Sequence, residues 1–287
     1  MDPAGSLTPR VLVAGGGIAG PALALFLHEK RVVRIEERPS SVVAHFEDGS
    51  SVEGDVLIGA DGVRSTVRRH LLPNAGAEYT GFTGIGGFTP ASAVPDVPRN
   101  TMTFVFGRRG FFGYSSADTG SAPWWSNLFR DRELTRDELD RPDMGSLKTE
   151  LLGRFGDYHA PIPALIRHSG TVMQLNVYDL PSLPTWHGRR ILVIGDAAHA
   201  VSPNAGQGAS LALEDAMYLA ALLRDFSYEA AFETFERHRK PRAEKVVAEG
   251  RRRGREGDRR STSATDSRAD DPHGRPAVRQ ARRPMAL

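Results

Sequence analysis

Three glycine-centred segments hold the residues whose types and spacing could do chemistry: GGGIAG at 15–20, GADGVRS at 59–65 and GDAAHAVSPNAGQGAS at 195–210. Each follows a short apolar run rich in Val, Ile or Leu, so each is expected where a buried strand ends. Gly15, Gly17 and Gly20 have the G-x-G-x-x-G spacing. Between a strand and a helix, that spacing cradles a dinucleotide. Gly15 permits the tight turn, Gly17 lets the backbone approach a pyrophosphate, and Gly20 lets helix and strand pack closely. The helix start adds unpaired N–H groups and partial positive charge. The alternative is a structural glycine turn; the strand before it and the helix after it favour the nucleotide.

The same fingerprint usually has an acidic residue about twenty positions on, bound to the adenosine ribose. Glu36 and Glu37 follow Gly15 by 21 and 22 residues. Their surroundings argue otherwise. They end a run, 32–36, that pairs naturally with 42–46 in a hairpin.

These segments need elements to hold them. Residues 10–14 read as a strand and 21–30 as a helix whose first turn tolerates Pro21. Strands are expected at 32–36, 42–46 and 52–58, with turns at 39–41 and 48–50. The last of them delivers the second glycine segment. Residues 80–130, rich in Gly, Thr, Ser and aromatics, read as an antiparallel sheet. Two short charged helices fall in 134–155, and strands in 171–178 and 190–194. A helix over 207–224 carries an apolar stripe through Leu211, Leu213, Ala216, Leu219 and Leu222. A charged helix follows at 230–248.

Composition bounds the rest. The 287 residues are 40% hydrophobic, enough for one large domain or two modest ones. A net charge of +2 is too small to argue for nucleic acid. The absence of cysteine excludes disulfides, a thiolate nucleophile and a Cys-ligated metal, and suits a cytoplasmic protein. Residues 11–27 are uncharged but short, Gly-rich and broken by Pro21, so a strand–turn–helix is expected there and no membrane span. From residue 251 on, the chain has no aromatic residue and almost no aliphatic one, and a disordered tail is expected at 251–287.

At this point the chain resembles the FAD-dependent aromatic hydroxylases, the flavoprotein monooxygenases similar to para-hydroxybenzoate hydroxylase. GGGIAG matches the first motif of that family, GADGVRSTVR at 59–68 the second, and RRILVIGDAAHAVSPNAGQGASLALEDA at 189–216 the third. The resemblance covers roughly 10–250. It implies an α/β fold: a Rossmann-type FAD-binding domain assembled from 10–79 and 181–250, with an antiparallel-sheet substrate domain inserted at 80–180. It also implies FAD as cofactor and NADH or NADPH with O2 as co-substrates, acting on a small organic molecule, aromatic or of secondary metabolism. By that resemblance Asp61 lies near the pyrophosphate and the groove where the nicotinamide nucleotide reduces the flavin. Asp196 would bond a ribityl hydroxyl, Pro203 would pack on the isoalloxazine, and Gly206, Gly208 and Ala209 would meet its pyrimidine end. A helix starting near Gln207 would aim its positive end at a ring that becomes anionic on reduction. His199 is expected to support the loop rather than act as a base. No catalytic side chain is assigned. Phe104, Phe106, Phe111, Phe112, Tyr114, Trp124 and Trp125 either line a substrate pocket or form ordinary sheet core.

The chain departs from the family after the first helix. The family there has a second parallel strand with the ribose carboxylate and further helices; here Lys30 runs straight into Arg31-Val32-Val33, as after an internal deletion. A second functional reading follows: a shortened, catalytically inactive remnant that binds little or no flavin.

Overall fold

A computed structural model describes residues 10–15, 31–95, 97, 101–107, 109–116, 120–266 and 277–281. The first third of the chain gives β1 (Val11–Ala14), β2 (Val32–Glu37), β3 (Val42–Phe46), β4 (Ser51–Gly54), β5 (Val56–Gly59) and α1 (Thr66–Leu71). Next come β6 (Glu78–Pro90), β7 (Thr101–Gly107), β8 (Gly110–Ser116), β9 (Ser121–Phe129), α2 (Arg136–Asp140), α3 (Met144–Phe155), α4 (Ile162–His168) and β10 (Val172–Asp179). The chain continues with β11 (Ile191–Val193), α5 (Asp196–His199), α6 (Gly208–Asp225), α7 (Tyr228–Asp266) and β12 (Ala277–Ala281). Two compact units emerge, one from 1–80 with 178–253 and one from 81–177 with 254–287.

The first unit holds two three-stranded sheets, a parallel one in the order β1-β5-β11 and an antiparallel one in the order β2-β3-β4. Every residue of β5 and β11 is buried. Continuous apolar runs of this kind suit parallel strands covered on both faces. The core joins Leu57, Ile58 and Val193 to Leu219 of α6 and to Phe232 and Phe235 of α7. Along α6 the buried stripe is Leu211, Ala212, Ala216, Leu219 and Leu222, while Leu213, expected within it, is exposed.

The run 52–58, expected as one strand, is two strands in two sheets. β4 pairs antiparallel with β3, whereas β5 pairs parallel with β1. Gly54 marks the change: a Cβ there would lie 2.5 Å from Leu12 Cγ and 2.8 Å from the Arg10 carbonyl, so only glycine allows the crossing. Asp55 then fixes β5 beside β1, its carboxylate accepting from the Arg10 amide at 2.6 Å and its own amide donating to the Arg10 carbonyl at 2.8 Å.

The second unit is built on a six-stranded sheet in the order β10-β6-β9-β8-β7-β12. Burial alternates residue by residue along β9, as the two-residue period of a strand requires. Trp124, Phe112, Tyr114, Ile85, Val105 and Leu128 form a core with Leu151 and Phe155 of α3 and Ile162, Leu165 and Ile166 of α4. Trp125 belongs to the opposite face, with Phe104 5.9 Å away edge-on and Phe111 stacked on Phe104 at 5.9 Å. Phe106 continues this second cluster and is half exposed. The seven aromatics singled out in the sequence thus divide into three of core and four of an open face.

The tail also departs from expectation. Arg251 is tied into the first unit through Asp179 and Glu78. α7 runs on to Asp266, and β12 pairs antiparallel with β7. Composition misses each for its own reason. Extending a helix already nucleated by packing needs little apolar surface, and an edge strand offers backbone groups to any extended segment whatever its side chains.

The division of the aromatics predicts a contrast. Phe112→Ala should cost about 3–5 kcal/mol of unfolding free energy, and Phe106→Ala less than about 1 kcal/mol, measured by denaturant unfolding.

Candidate functional site

β1, β5 and β11 run parallel and end level with one another: Ala14 is opposite Gly59, and Gly59 is opposite Val193. The ladder continues one step past the strands, with the Ala60 amide donating to the Ala14 carbonyl at 2.7 Å and the Ile194 amide to the Gly59 carbonyl at 2.9 Å. The three glycine segments therefore leave the sheet side by side at its carboxyl edge. That edge is where open α/β sheets bind ligands.

Gly15 turns away from β1 at φ 116°. A Cβ on it would lie 2.1 Å from the Ala60 carbonyl oxygen and 2.7 Å from the Asp61 amide nitrogen. Only glycine satisfies both the conformation and the space. Gly17, Gly20 and the helix expected after them lie outside the described residues.

Asp61 stands at the end of β5, and its carboxylate is engaged within the protein. It accepts from the Ser65 hydroxyl and from the Thr66 and Val67 amides at 2.7 and 3.1 Å. It thereby holds the start of α1, whose side-chain cap is Ser65. Arg68, which sequence reasoning passed over, binds the second motif to the third. Its buried guanidinium donates to the carbonyls of Val63 at 2.6 Å, Ala75 at 3.2 Å and Ala197 at 3.0 Å. Burial lowers its pKa and nearby Asp61 works the other way. The available signal was its position, in the helix after a glycine turn and three residues beyond a capping serine.

In the run from Ile191 to Ala200 every residue is buried except Asp196. Gly195, at φ 57°, reverses the chain and sets the Asp196 side chain outward. The surrounding protein still desolvates that carboxyl and pushes its pKa up, against a smaller opposing pull from His199. His199 is buried, with Nε2 2.6 Å from Asp215 Oδ2. That contact places it in the loop's support.

Beyond α5, Pro203 and Gly206 are exposed, and Gly206 takes φ 66° with open space where a Cβ would point. α6 starts at Gly208, with Ala209 exposed in its first turn and no side-chain hydrogen bond at its N-cap, Gln207. An 18-residue helix with an uncapped start offers amide donors and partial positive charge to an electron-rich group.

Glu36 and Glu37 are not at this edge. They lie in β2 of the antiparallel sheet, where Glu36 accepts from Arg38 at 2.9 Å and Glu37 lies 3.3 Å from His70. The hairpin expected of 32–36 with 42–46 forms, and it places both glutamates outside the β1-β5-β11 ladder. Among the described residues β1 has β5 as its one strand partner.

The cradle suits a flavin nucleotide at three points: a backbone bared of side chains at Gly15, an outward carboxylate at Asp196 and an uncapped helix start at Gly208. The sequence profile of a family described as FAD binding domain matches residues 30–250. The aurachin C monooxygenase/isomerase of Stigmatella aurantiaca is 34% identical over 221 residues, which cover 76% of this chain and 55% of that protein. The 6-hydroxynicotinate 3-monooxygenase of Bordetella bronchiseptica is 32% identical over 251 residues, covering 77% and 58%. Klebsiella pneumoniae HpxO, solved with FAD and uric acid, superposes with a TM-score of 0.71 at 27% identity, over 82% of this chain and 61% of that one. The chain spans a little over half the length of these two curated relatives.

Gly15→Ala tests the junction. The forced contact and the positive φ together should cost about 3 kcal/mol or more, read as a lowered thermal midpoint.

Proposed function

The chain belongs to the FAD-binding family of flavoprotein aromatic hydroxylases, and on that premise we propose that it is an FAD-dependent monooxygenase. NADH or NADPH supplies two electrons. One atom of O2 enters an electron-rich aromatic or secondary-metabolite substrate, as a hydroxyl or an epoxide, and the other leaves as water. When bound, the flavin supplies the redox chemistry and the activation of oxygen. The protein supplies position, exclusion of water and fixed dipoles.

The observation that carries this reading is the meeting of three glycine turns at one sheet edge with a single outward carboxylate among them. In it, the backbone around Gly15 faces the pyrophosphate. Asp196 accepts from a ribityl hydroxyl. Pro203 packs on the ring, and Gly206, Gly208 and Ala209 with the start of α6 face its pyrimidine end. Asp61 acts through the turn it holds. Arg64 and Arg69 line a hollow of about 320 Å³ with Tyr178, whose ring lies 5.5 Å beneath the Arg64 guanidinium. Two arginines beside an aromatic ring suit the phosphates of NAD(P)H. The open aromatic face of Phe104, Phe106, Phe111 and Trp125 suits a flat apolar substrate. Among the described residues no helix is long and apolar enough to cross a membrane. The absence of cysteine favours a cytoplasmic setting.

One observation favours the second reading, an inactive remnant: the glutamates counted for the ribose are engaged in another sheet. The two readings part on a visible spectrum. The monooxygenase reading expects a yellow protein after incubation with FAD, and NAD(P)H oxidation stimulated by phenolic substrates; a protein that stays colourless supports the remnant.

Two substitutions probe the assigned roles. Asp196→Ala should weaken FAD binding about ten- to a hundredfold by equilibrium titration, through loss of a hydrogen bond to a charged group. Arg64→Ala should raise KM for NAD(P)H roughly fivefold, the scale of an exposed ionic contact, with FAD affinity unchanged.

A further inference from the structure

Behind the outward carboxylate lies a buried set of charges that the flavin reading does not use. We infer that Asp215 and Arg239 form a positioning pair that holds the Gly195–Asp196 turn in the shape the cofactor requires. This rests on the flavin reading above.

Asp215, on α6, has no exposed surface. Its Oδ2 accepts from the Gly195 amide at 2.9 Å and lies 2.6 Å from His199 Nε2. Its Oδ1 accepts from Arg239 Nε at 2.7 Å. The two groups on Oδ2 bracket α5: Gly195 precedes Asp196 and His199 closes the turn. One carboxylate therefore grips both ends of the four-residue segment that carries the outward aspartate. Gly195 needs this grip. At φ 57° its amide faces into protein, and a buried amide without an acceptor is costly.

Arg239 makes that carboxylate tenable. Its side chain is 9% exposed, and besides Asp215 it donates to Glu214 at 2.7 Å and to the Leu211 carbonyl at 3.3 Å. Glu214 is held in turn by Arg242 at 2.7 and 2.6 Å, which with Arg239 keeps its pKa at about 2. Burial works against the charge on Asp215, but His199, the Gly195 amide and Arg239 together hold its pKa below the usual range. Each acidic residue is thus matched by an arginine of α7. A residue on α7 thereby sets the geometry at the sheet edge without facing the ligand.

The test compares variants of the full chain for FAD dissociation constant, visible circular dichroism of the bound flavin and thermal midpoint without FAD. Asp215→Asn replaces one of the two acceptor oxygens with an N–H donor, and Arg239→Lys keeps the charge but loses the fork. Glu236→Gln is the control. That carboxylate, also on α7, takes its hydrogen bonds from the Thr185 hydroxyl at 2.9 Å and the Trp186 amide at 2.8 Å and lies 2.6 Å from His187, so it does not grip Gly195 or His199 directly.

Asp215→Asn and Arg239→Lys should each raise the FAD dissociation constant about tenfold or more and alter the circular dichroism of the bound flavin. Glu236→Gln should lower the thermal midpoint yet leave that constant within about twofold of the parent, as a site that supports the fold without bonding the turn would. Parent-like affinity and dichroism in both hub variants would overturn the inference. So would a loss of affinity in Glu236→Gln in step with its loss of stability. Should Asp215→Asn not fold, Arg239→Lys decides; if neither folds, the pair serves folding alone and the inference fails. A parent chain that takes up no FAD contradicts the flavin reading itself, before any variant is compared.

Discussion

The backbone of Gly15 passes Ala60 too closely for any side chain to stand between them, and the candidate site depends on that approach. β1 and β5 are ladder partners to their last residues, so the turns leaving them begin in contact. A methyl group at Gly15 would part the two turns. β11, on the other side of β5, brings the third turn to the same level. Three segments far apart in sequence become neighbours through backbone pairing alone, before any side chain takes part.

Side chains then stabilise what the backbone has arranged. Arg68 reaches from the second turn to the carbonyl of Ala197 in the third. Asp61 and Ser65 secure the start of α1, and Asp215 secures α5 from behind. Most polar groups near the edge are therefore satisfied within the protein. Two groups of the third turn are exceptions among the described residues: His199 Nδ1, buried without a hydrogen-bond partner, and Asp196, an exposed carboxylate in a buried run. A group left facing outward at such an edge is where a ligand would find its partner. The chemistry proposed here needs little more from the protein, because a flavin brings its own reactivity.

The turns were legible in the sequence because their requirements are local. A glycine forced to positive φ, or to a close approach, must be glycine whatever surrounds it. The aromatics were half legible. A two-residue period says that Trp124 and Trp125 face opposite ways, but only the helices packed at Leu151 and Ile162 decide which face is core. The break between β4 and β5 was not legible, since the crossing at Gly54 is set by Leu12, more than forty residues away. Glu36 and Glu37 passed a count of residues yet pair in a different sheet. Spacing along the chain cannot tell a parallel strand from a hairpin. Arg68 and the Asp215–Arg239 pair escaped for a related reason: a charged residue on a helix reads as solvated until the fold buries it.

The central claim is that the three turns serve a single ligand. Hydrogen exchange measured during an FAD titration tests it most directly. If one ligand spans the three turns, amides in the segments around Gly15, Asp61 and Asp196 gain protection together, with one midpoint. Protection confined to one segment, or midpoints that differ between segments, would contradict it.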